Sequence, residues 1–182
     1  MRNALIFDDN KILAELVQLK VEALFRKYDL EFEVDRMNSI KQLESCEKTY
    51  QLVFMDIVLP EQDGINITRE WKNSGRFGEV VFVSAYDDKV FASFDTNPLY
   101  FVRKNNLDEE LEQAIISYKR KIAATQVIVP EGAKYHVWDV NDIMYLVSRN
   151  HYIDVYMANG NKPLVRGKLD DMEKILQDYN FV

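Results

Sequence analysis

Cysteine occurs only once in this sequence, at Cys46, among 182 residues. An internal disulfide is therefore excluded, and a chain that folds without one suits a reducing compartment. Long apolar runs are also lacking, since no stretch approaches the roughly 20 residues that a membrane-spanning helix needs. The opening segment MRNALIFDDN reaches two aspartates after a few apolar residues, which is too short an apolar region for a secretory signal. These absences predict a cytoplasmic protein without a membrane segment.

The chain also lacks a net positive charge. The formal net charge is −7, from 23 Lys and Arg against 30 Asp and Glu. Residues 1–119 contain 15 basic and 22 acidic residues, whereas residues 120–182 contain 8 of each. A broad basic face of the kind that marks many nucleic-acid-binding proteins is excluded, but the neutral C-terminal part can still form a local basic edge.

Residues 1–124 alternate between strand and helix periodicity. Such alternation predicts a doubly wound α/β domain, in which helices cover both faces of a five-stranded parallel sheet. In the first helix we expect an apolar face that includes Ile12, Leu16, Leu19, Ala23 and Phe25. The predicted strands are residues 4–7, 31–37, 52–57, 79–85 and 99–104, and the predicted helices are residues 11–28, 39–50, 64–75, 87–96 and 106–124.

The pattern changes near residue 125. Asn159-Gly160 lies between two alternating runs and is a strong hairpin signal. Residues 168–179 have the pattern of one amphipathic helix. We therefore predict a first domain over residues 1–122 and a small, mostly β second domain with one helix over residues 123–182. Its predicted strands are residues 126–130, 134–140, 142–148, 152–158 and 163–167.

Polar side chains stand at the ends of four predicted strands. They are Asp8 and Asp9, Asp56, Ser84 and Lys104. The carboxyl ends of parallel strands share one edge of the sheet, where ligands bind in such folds. Carboxylates at ~4–6 Å repel by a few kcal/mol at an effective dielectric of about 20. A Mg²⁺ ion resolves this repulsion, and with a lysine and a hydroxyl nearby the site suits phosphoryl transfer through an aspartyl phosphate.

These residues, with Pro60, Gly64 and Phe101, resemble the receiver domain of two-component response regulators over about residues 1–120. The resemblance implies a flavodoxin-like fold in which Asp56 accepts a phosphoryl group from a histidine kinase. It implies that Asp9 binds Mg²⁺ directly, that Asp8 binds it through water, and that the main-chain carbonyl of Val58 completes the protein ligands beside Asp56.

The resemblance also assigns the remaining residues of the site. Ser84 and Lys104 would hold the phosphoryl oxygens, and Phe101 would be the aromatic switch whose rotamer follows phosphorylation. The family usually has a proline in a cis turn after its lysine, and this chain has Asn105 there. Arg103 is a weaker rival of Lys104 for the same role.

The C-terminal segment resembles a LytTR-type DNA-binding domain. The resemblance is carried by Asp142-Ile143-Met144-Tyr145, by His151-Tyr152 and by the turn at Asn159-Gly160. It implies that loops between strands contact DNA, with His151 carried over as a contact, and that activation produces a homodimer on DNA. Arg149 and Lys168 are candidate phosphate contacts, and the alternative for each is an ordinary solvated side chain. The family pattern continues beyond Val182, so it predicts either a shortened chain or a degenerate domain.

There are two alternatives to transcription control. A receiver with a remnant second domain would serve as a phosphorylation-dependent interaction or dimerisation module without DNA. A haloacid-dehalogenase-type phosphatase would need a second aspartate two residues after Asp56, where this chain has Val58. We therefore expect no enzyme. His151 also has a simpler interpretation, as an ordinary histidine at the end of a hairpin.

Overall fold

The computed structural model describes residues 2–60, 62–86 and 89–179. It divides into two compact units, Met1–Tyr118 and Lys119–Val182, which are called the first and second units below. The predicted boundary at residues 122 and 123 lies within one continuous helix, and the predicted end of the second domain, Val182, lies outside the described residues. Within the described residues, every helix is too short or too polar to span a membrane.

The first unit contains one parallel sheet of five strands in the order β2-β1-β3-β4-β5. The strands are β1 (Arg2–Phe7), β2 (Phe32–Met37), β3 (Tyr50–Asp56), β4 (Phe77–Ser84) and β5 (Tyr100–Arg103). The helices are α1 (Lys11–Lys27), α2 (Ile40–Glu44), α3 (Gly64–Asn73), α4 (Val90–Ser93) and α5 (Leu107–Thr125). The order confirms the predicted doubly wound α/β fold, with β1 and β3 adjacent at the centre.

The central strands are buried on both faces. Residues 4–7 of β1 and residues 52–56 of β3 are all buried, as their nearly continuous apolar runs predict. This burial fixes the strand ends rigidly, because a slip of one residue would move every side chain to the opposite face. The edge where these strands end is therefore a firm support for a site.

The predicted apolar face of α1 is partly wrong. The helix buries Ala14, Val17, Val21 and Phe25, whereas Ile12, Leu16 and Leu19 are exposed, Ile12 by 84%. Both stripes have helical spacing, so periodicity alone could not choose between them. The stripe of Ala14, Val17, Val21 and Phe25 packs on the sheet, and Ala23 of the predicted face is exposed.

Two other predicted helices are shorter than expected. Helix α2 ends at Glu44, and Tyr50, predicted as helical, is the first residue of β3. Helix α4 has one α-helical turn followed by a 3-10 turn over Phe94–Thr96, and the first two residues of its predicted range, 87 and 88, lie outside the described residues.

The second unit contains a two-stranded and a three-stranded antiparallel sheet. Strands β6 (Gln126–Glu131) and β7 (Lys134–Asp139) pair with each other. Strands β8 (Ile143–Arg149), β9 (Tyr152–Met157) and β10 (Leu164–Arg166) pair in the order β10-β9-β8, and helix α6 (Leu169–Leu176) follows. A mostly β unit with one α-helix is thereby confirmed.

The hairpin between β9 and β10 turns at the predicted Asn159-Gly160. Gly160 has φ +82°, and its N–H group donates to the carbonyl of Met157 at 3.0 Å. Glycine adopts this left-handed conformation without the steric penalty of a side chain. The turn brings β10 back against β9, with Val165 opposite Ile153 in the apolar core of the unit.

Candidate functional site

The predicted site residues of the first unit converge at one edge of its sheet. Asp8 follows β1, Asp56 ends β3, Ser84 ends β4, and Lys104 follows β5 directly. Asp8, Asp9 and Asp56, called the acidic cluster below, each place a carboxylate oxygen within 4.8 Å of the others. Asp8 and Asp56 are buried, whereas Asp9 is exposed, so the cluster opens towards solvent on one side.

Lys104 reaches into this cluster. Its Nζ atom lies 2.9 Å from Oδ2 of Asp8 and 2.6 Å from Oδ2 of Asp56. One ammonium group thus bridges the two buried carboxylates, and three carboxylates with one ammonium leave a surplus of negative charge. Charge-assisted bonds of this length are among the stronger hydrogen bonds in proteins.

Burial and this surplus charge both act on the ionisation of the site. Burial raises the pKa of Asp56, the Lys104 ammonium opposes that rise, and the neighbouring Asp8 carboxylate adds to it. For Lys104, burial alone would lower the pKa, but its bonds to Asp56 and Asp8 outweigh burial and raise it. Lys104 therefore stays charged, and a further cation at the cluster would favour ionised Asp56.

Main-chain N–H groups orient the polar side chains. Asn10 donates from its backbone to Oδ1 of Asp8 at 2.9 Å, and Val58 donates to Oδ1 of Asp56 at 3.3 Å. Ser84 accepts a bond at Oγ from the N–H of Tyr86 at 3.1 Å and is fully buried. A hydroxyl that accepts in this way keeps its own proton for donation to a ligand oxygen.

Gly64 lets α3 begin against the end of β3. Its N–H group donates to the carbonyl of Ile57 at 2.8 Å. A Cβ atom at this position would lie 2.0 Å from the carbonyl oxygen of Asp56, so only glycine permits this approach. Any side chain at position 64 would therefore displace the backbone of Asp56, the candidate phosphoacceptor, or the start of α3.

Phe101 and Arg103, both on β5, lie in different environments. Phe101 is opposite Phe82 on β4 and packs, partly buried, against the apolar core. Arg103 forms its ion pair with Glu110 rather than with the acidic cluster, so the geometry favours Lys104 over this rival.

The Lys104–Asn105 peptide bond is trans and belongs to a 3-10 turn over Lys104–Asn106. Glu110 was missed by sequence reasoning, since nothing in its spacing distinguishes it from Glu109.

The candidate DNA-contacting residues of the second unit lie at one end of its three-stranded sheet. Arg149 ends β8, and His151 follows in a turn whose Asn150 has φ +56°. The carbonyl of His151 accepts from the N–H of Gly167 at 2.9 Å, which places the turn beside Lys168, the residue before α6. All three candidates are exposed.

The second unit also contains a buried carboxylate that the sequence did not single out. Oδ2 of Asp154 lies 2.8 Å from Nε of Arg149 and 3.1 Å from Nζ of Lys162, although neither contact has hydrogen-bond geometry. The position of Asp154 in the alternating run YIDVYM was the available signal, since the other alternate residues of that strand are tyrosines.

Comparison with protein families decides the identity of the first unit. The family described as the response regulator receiver domain matches residues 4–116. The chain belongs to this family. The LytTr DNA-binding domain matches residues 133–182, so the receiver is followed by a DNA-binding module. This combination is that of a phosphorylation-controlled transcriptional response regulator, and it does not favour the remnant-domain alternative. By family such a protein is a regulator.

Relatives and solved structures agree with this assignment. An uncharacterised response regulatory protein of Vibrio cholerae is 25% identical over 94% of this chain and 74% of its own length. The sensory transduction protein LytT of Bacillus subtilis is 22% identical over 100% of this chain and 82% of its own length. The receiver domain of a Francisella response regulator has a TM-score of 0.53 at 20% identity, over 66% of this chain and 99% of that one.

A further solved structure of this fold is a complex with a ligand. The response regulator TrrA of Thermotoga maritima, in complex with Mg²⁺-BeF, has a TM-score of 0.50 at 21% identity. The match covers 64% of this chain and 99% of that one. At this identity the likeness supports the receiver fold alone.

Proposed function

We propose that Asp56 is the phosphoacceptor of this response regulator and that a histidine kinase is the donor. A carboxylate oxygen of Asp56 forms the new bond to phosphorus, while the bond from phosphorus to the histidine nitrogen breaks and the imidazole keeps its electron pair. The observation that carries this proposal is the convergence of three carboxylate oxygens within 4.8 Å, bridged by the ammonium of Lys104.

The acidic cluster is the proposed magnesium site. Its donors are hard carboxylate oxygens with excess negative charge, which is the set that Mg²⁺ prefers. Asp9 and Asp56 would bind the ion directly, Asp8 through water, and the main-chain carbonyl of Val58 would join them. When bound, Mg²⁺ would offset the charge on the transferred phosphoryl oxygens.

Lys104 and Ser84 are the proposed groups that read the new phosphoryl group. Phosphorylation adds roughly −2 charge at Asp56. The Lys104 ammonium, now shared between Asp8 and Asp56, would move to a phosphoryl oxygen, and the Ser84 hydroxyl would donate to another. The movement at the end of β4 would change the space beside Phe101, whose rotamer then alters the surface around α4, β5 and α5.

The proposed output is binding of DNA by the second unit as a homodimer. Support comes from the exposed cluster of His151, Arg149 and Lys168 at one end of the sheet. Arg149 and Lys168 would contact phosphates, and His151 would reach into a groove.

The test is uptake of one phosphoryl group from acetyl phosphate with Mg²⁺, followed by intact mass. Wild-type protein should gain one phosphoryl group, and Asp56→Asn should gain none. Asp29→Asn is a matched control, because Asp29 is an exposed residue with φ +53° that asparagine tolerates. Equal uptake by wild-type protein and Asp56→Asn would refute the proposal.

A further inference from the structure

The first unit contains a buried carboxylate outside the acidic cluster. Glu110, near the start of α5, is only 6% exposed. Burying an ionised carboxylate is costly unless hydrogen bonds replace its water. The partners of Glu110 therefore indicate what the burial achieves.

These partners all belong to the segment that presents Lys104. Oε2 of Glu110 accepts from the main-chain N–H of Arg103 at 2.6 Å. Oε1 accepts from Nε of Arg103 at 2.6 Å and from its Nη2, and Asn106 Nδ2 lies 3.4 Å away. Burial alone would raise the pKa of Glu110, but these bonds outweigh it and lower the pKa. We call this arrangement the Glu110 clamp.

The clamp encloses the turn that carries Lys104. Arg103 precedes the 3-10 turn Lys104–Asn106, and Asn106 is its last residue. The N–H group and the guanidinium of Arg103 both donate to Glu110, which fixes the residue from which the turn begins. Lys104 is the first residue of this turn, so its backbone starts from a fixed position, and its ammonium meets Asp8 and Asp56.

This turn lacks a restraint that a proline would supply. Position 105 is asparagine, and its backbone is not locked by a pyrrolidine ring. β5 is also the edge strand of the sheet, so an outward N–H group such as that of Arg103 needs a partner from outside the sheet. Glu110 supplies that partner and joins it to the end of the turn through Asn106.

We propose that Glu110, through Arg103, is a positioning residue for Lys104 in phosphorylation. The inference rests on the proposed function, because it assigns Lys104 to the phosphoryl oxygens. Loss of the clamp lets the Lys104 turn sample other conformations, and the ammonium is then out of place when charge develops on the transferred group. Misplacement of a catalytic group by about 1 Å can reduce a rate by up to ~100-fold.

The experiment compares Glu110→Gln with Glu109→Gln. Both remove one carboxylate from the first turn of α5, but Glu109 is exposed and its Oε2 has only a 3.4 Å contact with Asn106. The rate of phosphorylation by acetyl phosphate at saturating Mg²⁺ is measured for each. We expect Glu110→Gln to be roughly tenfold slower than wild type and Glu109→Gln to match wild type.

Epistasis with Lys104 separates positioning from general stability. If Glu110 acts through Lys104, Glu110→Gln should slow the reaction in the wild-type background and have no further effect in a Lys104→Gln background. Equal slowing in both backgrounds, or a Glu110→Gln rate equal to that of Glu109→Gln, would overturn the inference. If Glu110→Gln fails to fold, Arg103→Lys replaces it, because lysine keeps the charge and the main-chain bond but loses the planar fork.

Failure of the inference differs from failure of the proposed function. Phosphorylation of Asp56→Asn at the wild-type rate would refute the proposed function itself. Loss of phosphorylation in Asp56→Asn, together with wild-type rates in Glu110→Gln, would leave the proposed function intact and refute the role of the clamp alone.

Discussion

The two units carry their candidate functional groups in opposite ways. In the first unit, Asp8, Asp56 and Ser84 are buried at strand ends and held by main-chain N–H groups. In the second unit, His151, Arg149 and Lys168 are exposed on turns and at a strand end. Transfer of a small group requires reacting side chains that are held in fixed positions, whereas binding of a long charged polymer requires side chains that are exposed on the surface.

The difference extends to electrostatics. The first unit concentrates three carboxylates, two of them buried, beside the single ammonium of Lys104. The second unit is nearly neutral and pairs two exposed cations, Arg149 and Lys162, with one buried carboxylate, Asp154. A change in the first unit should therefore affect reaction rates, and a change in the second should affect salt-dependent affinity.

The largest expected effect of a single change comes from Gly64→Ala. The added Cβ would meet the carbonyl oxygen of Asp56 at 2.0 Å, so either α3 or the end of β3 must shift. We expect a loss of about 3 kcal/mol in the free energy of unfolding, at the upper end for overpacking, with slower phosphorylation. Urea unfolding followed by tryptophan fluorescence measures the loss.

Gly75→Ala is the matched control for this prediction. Gly75 has φ +74°, but no atom lies within 4 Å of an added Cβ. Its substitution should cost about 1–2 kcal/mol from backbone conformation alone. Equal losses for the two variants would show that close approach at Asp56 does not fix the site.

Substitutions in the second unit should leave phosphorylation unchanged. Arg149→Gln should weaken binding to DNA about tenfold and reduce the slope of log affinity against log salt by about one, because one phosphate contact is lost. The measurement is a salt titration on mixed-sequence DNA, with Lys134→Gln as a control that removes one exposed positive charge from the β6–β7 hairpin. An unchanged slope in Arg149→Gln would remove Arg149 from the interface.

The smallest expected effect is a pH dependence at Glu110. The native fold lowers the pKa of this carboxyl below its ordinary value of 4.5, so the ionised form stabilises the native state. That stabilisation is complete above about pH 4.5 and is lost as the pH falls through the lowered native pKa. The difference in unfolding free energy between wild type and Glu110→Gln should therefore be constant near neutral pH and shrink in acid. A difference that grows in acid would contradict the clamp.

The sequence predicts the location of those side chains that the topology of the sheet brings together. Alternating strands and helices predict a parallel sheet, and such a sheet necessarily brings Asp8, Asp56 and Lys104 to one edge. The apolar stripe on α1 could not be chosen, because Ile12 and Val17 both follow helical spacing. Glu110 and Asp154 contact residues that lie outside their own helix or strand, and a linear sequence pattern does not record such contacts.

The central claim is that Asp56, held at the end of β3, receives the phosphoryl group. The most direct measurement is peptide mapping of the wild-type protein after phosphorylation by acetyl phosphate, with and without Mg²⁺. The account predicts a single modified residue, Asp56, and modification that depends on Mg²⁺. Modification of Asp8 or Asp9, or labelling of Asp56 at the same rate without Mg²⁺, would contradict it.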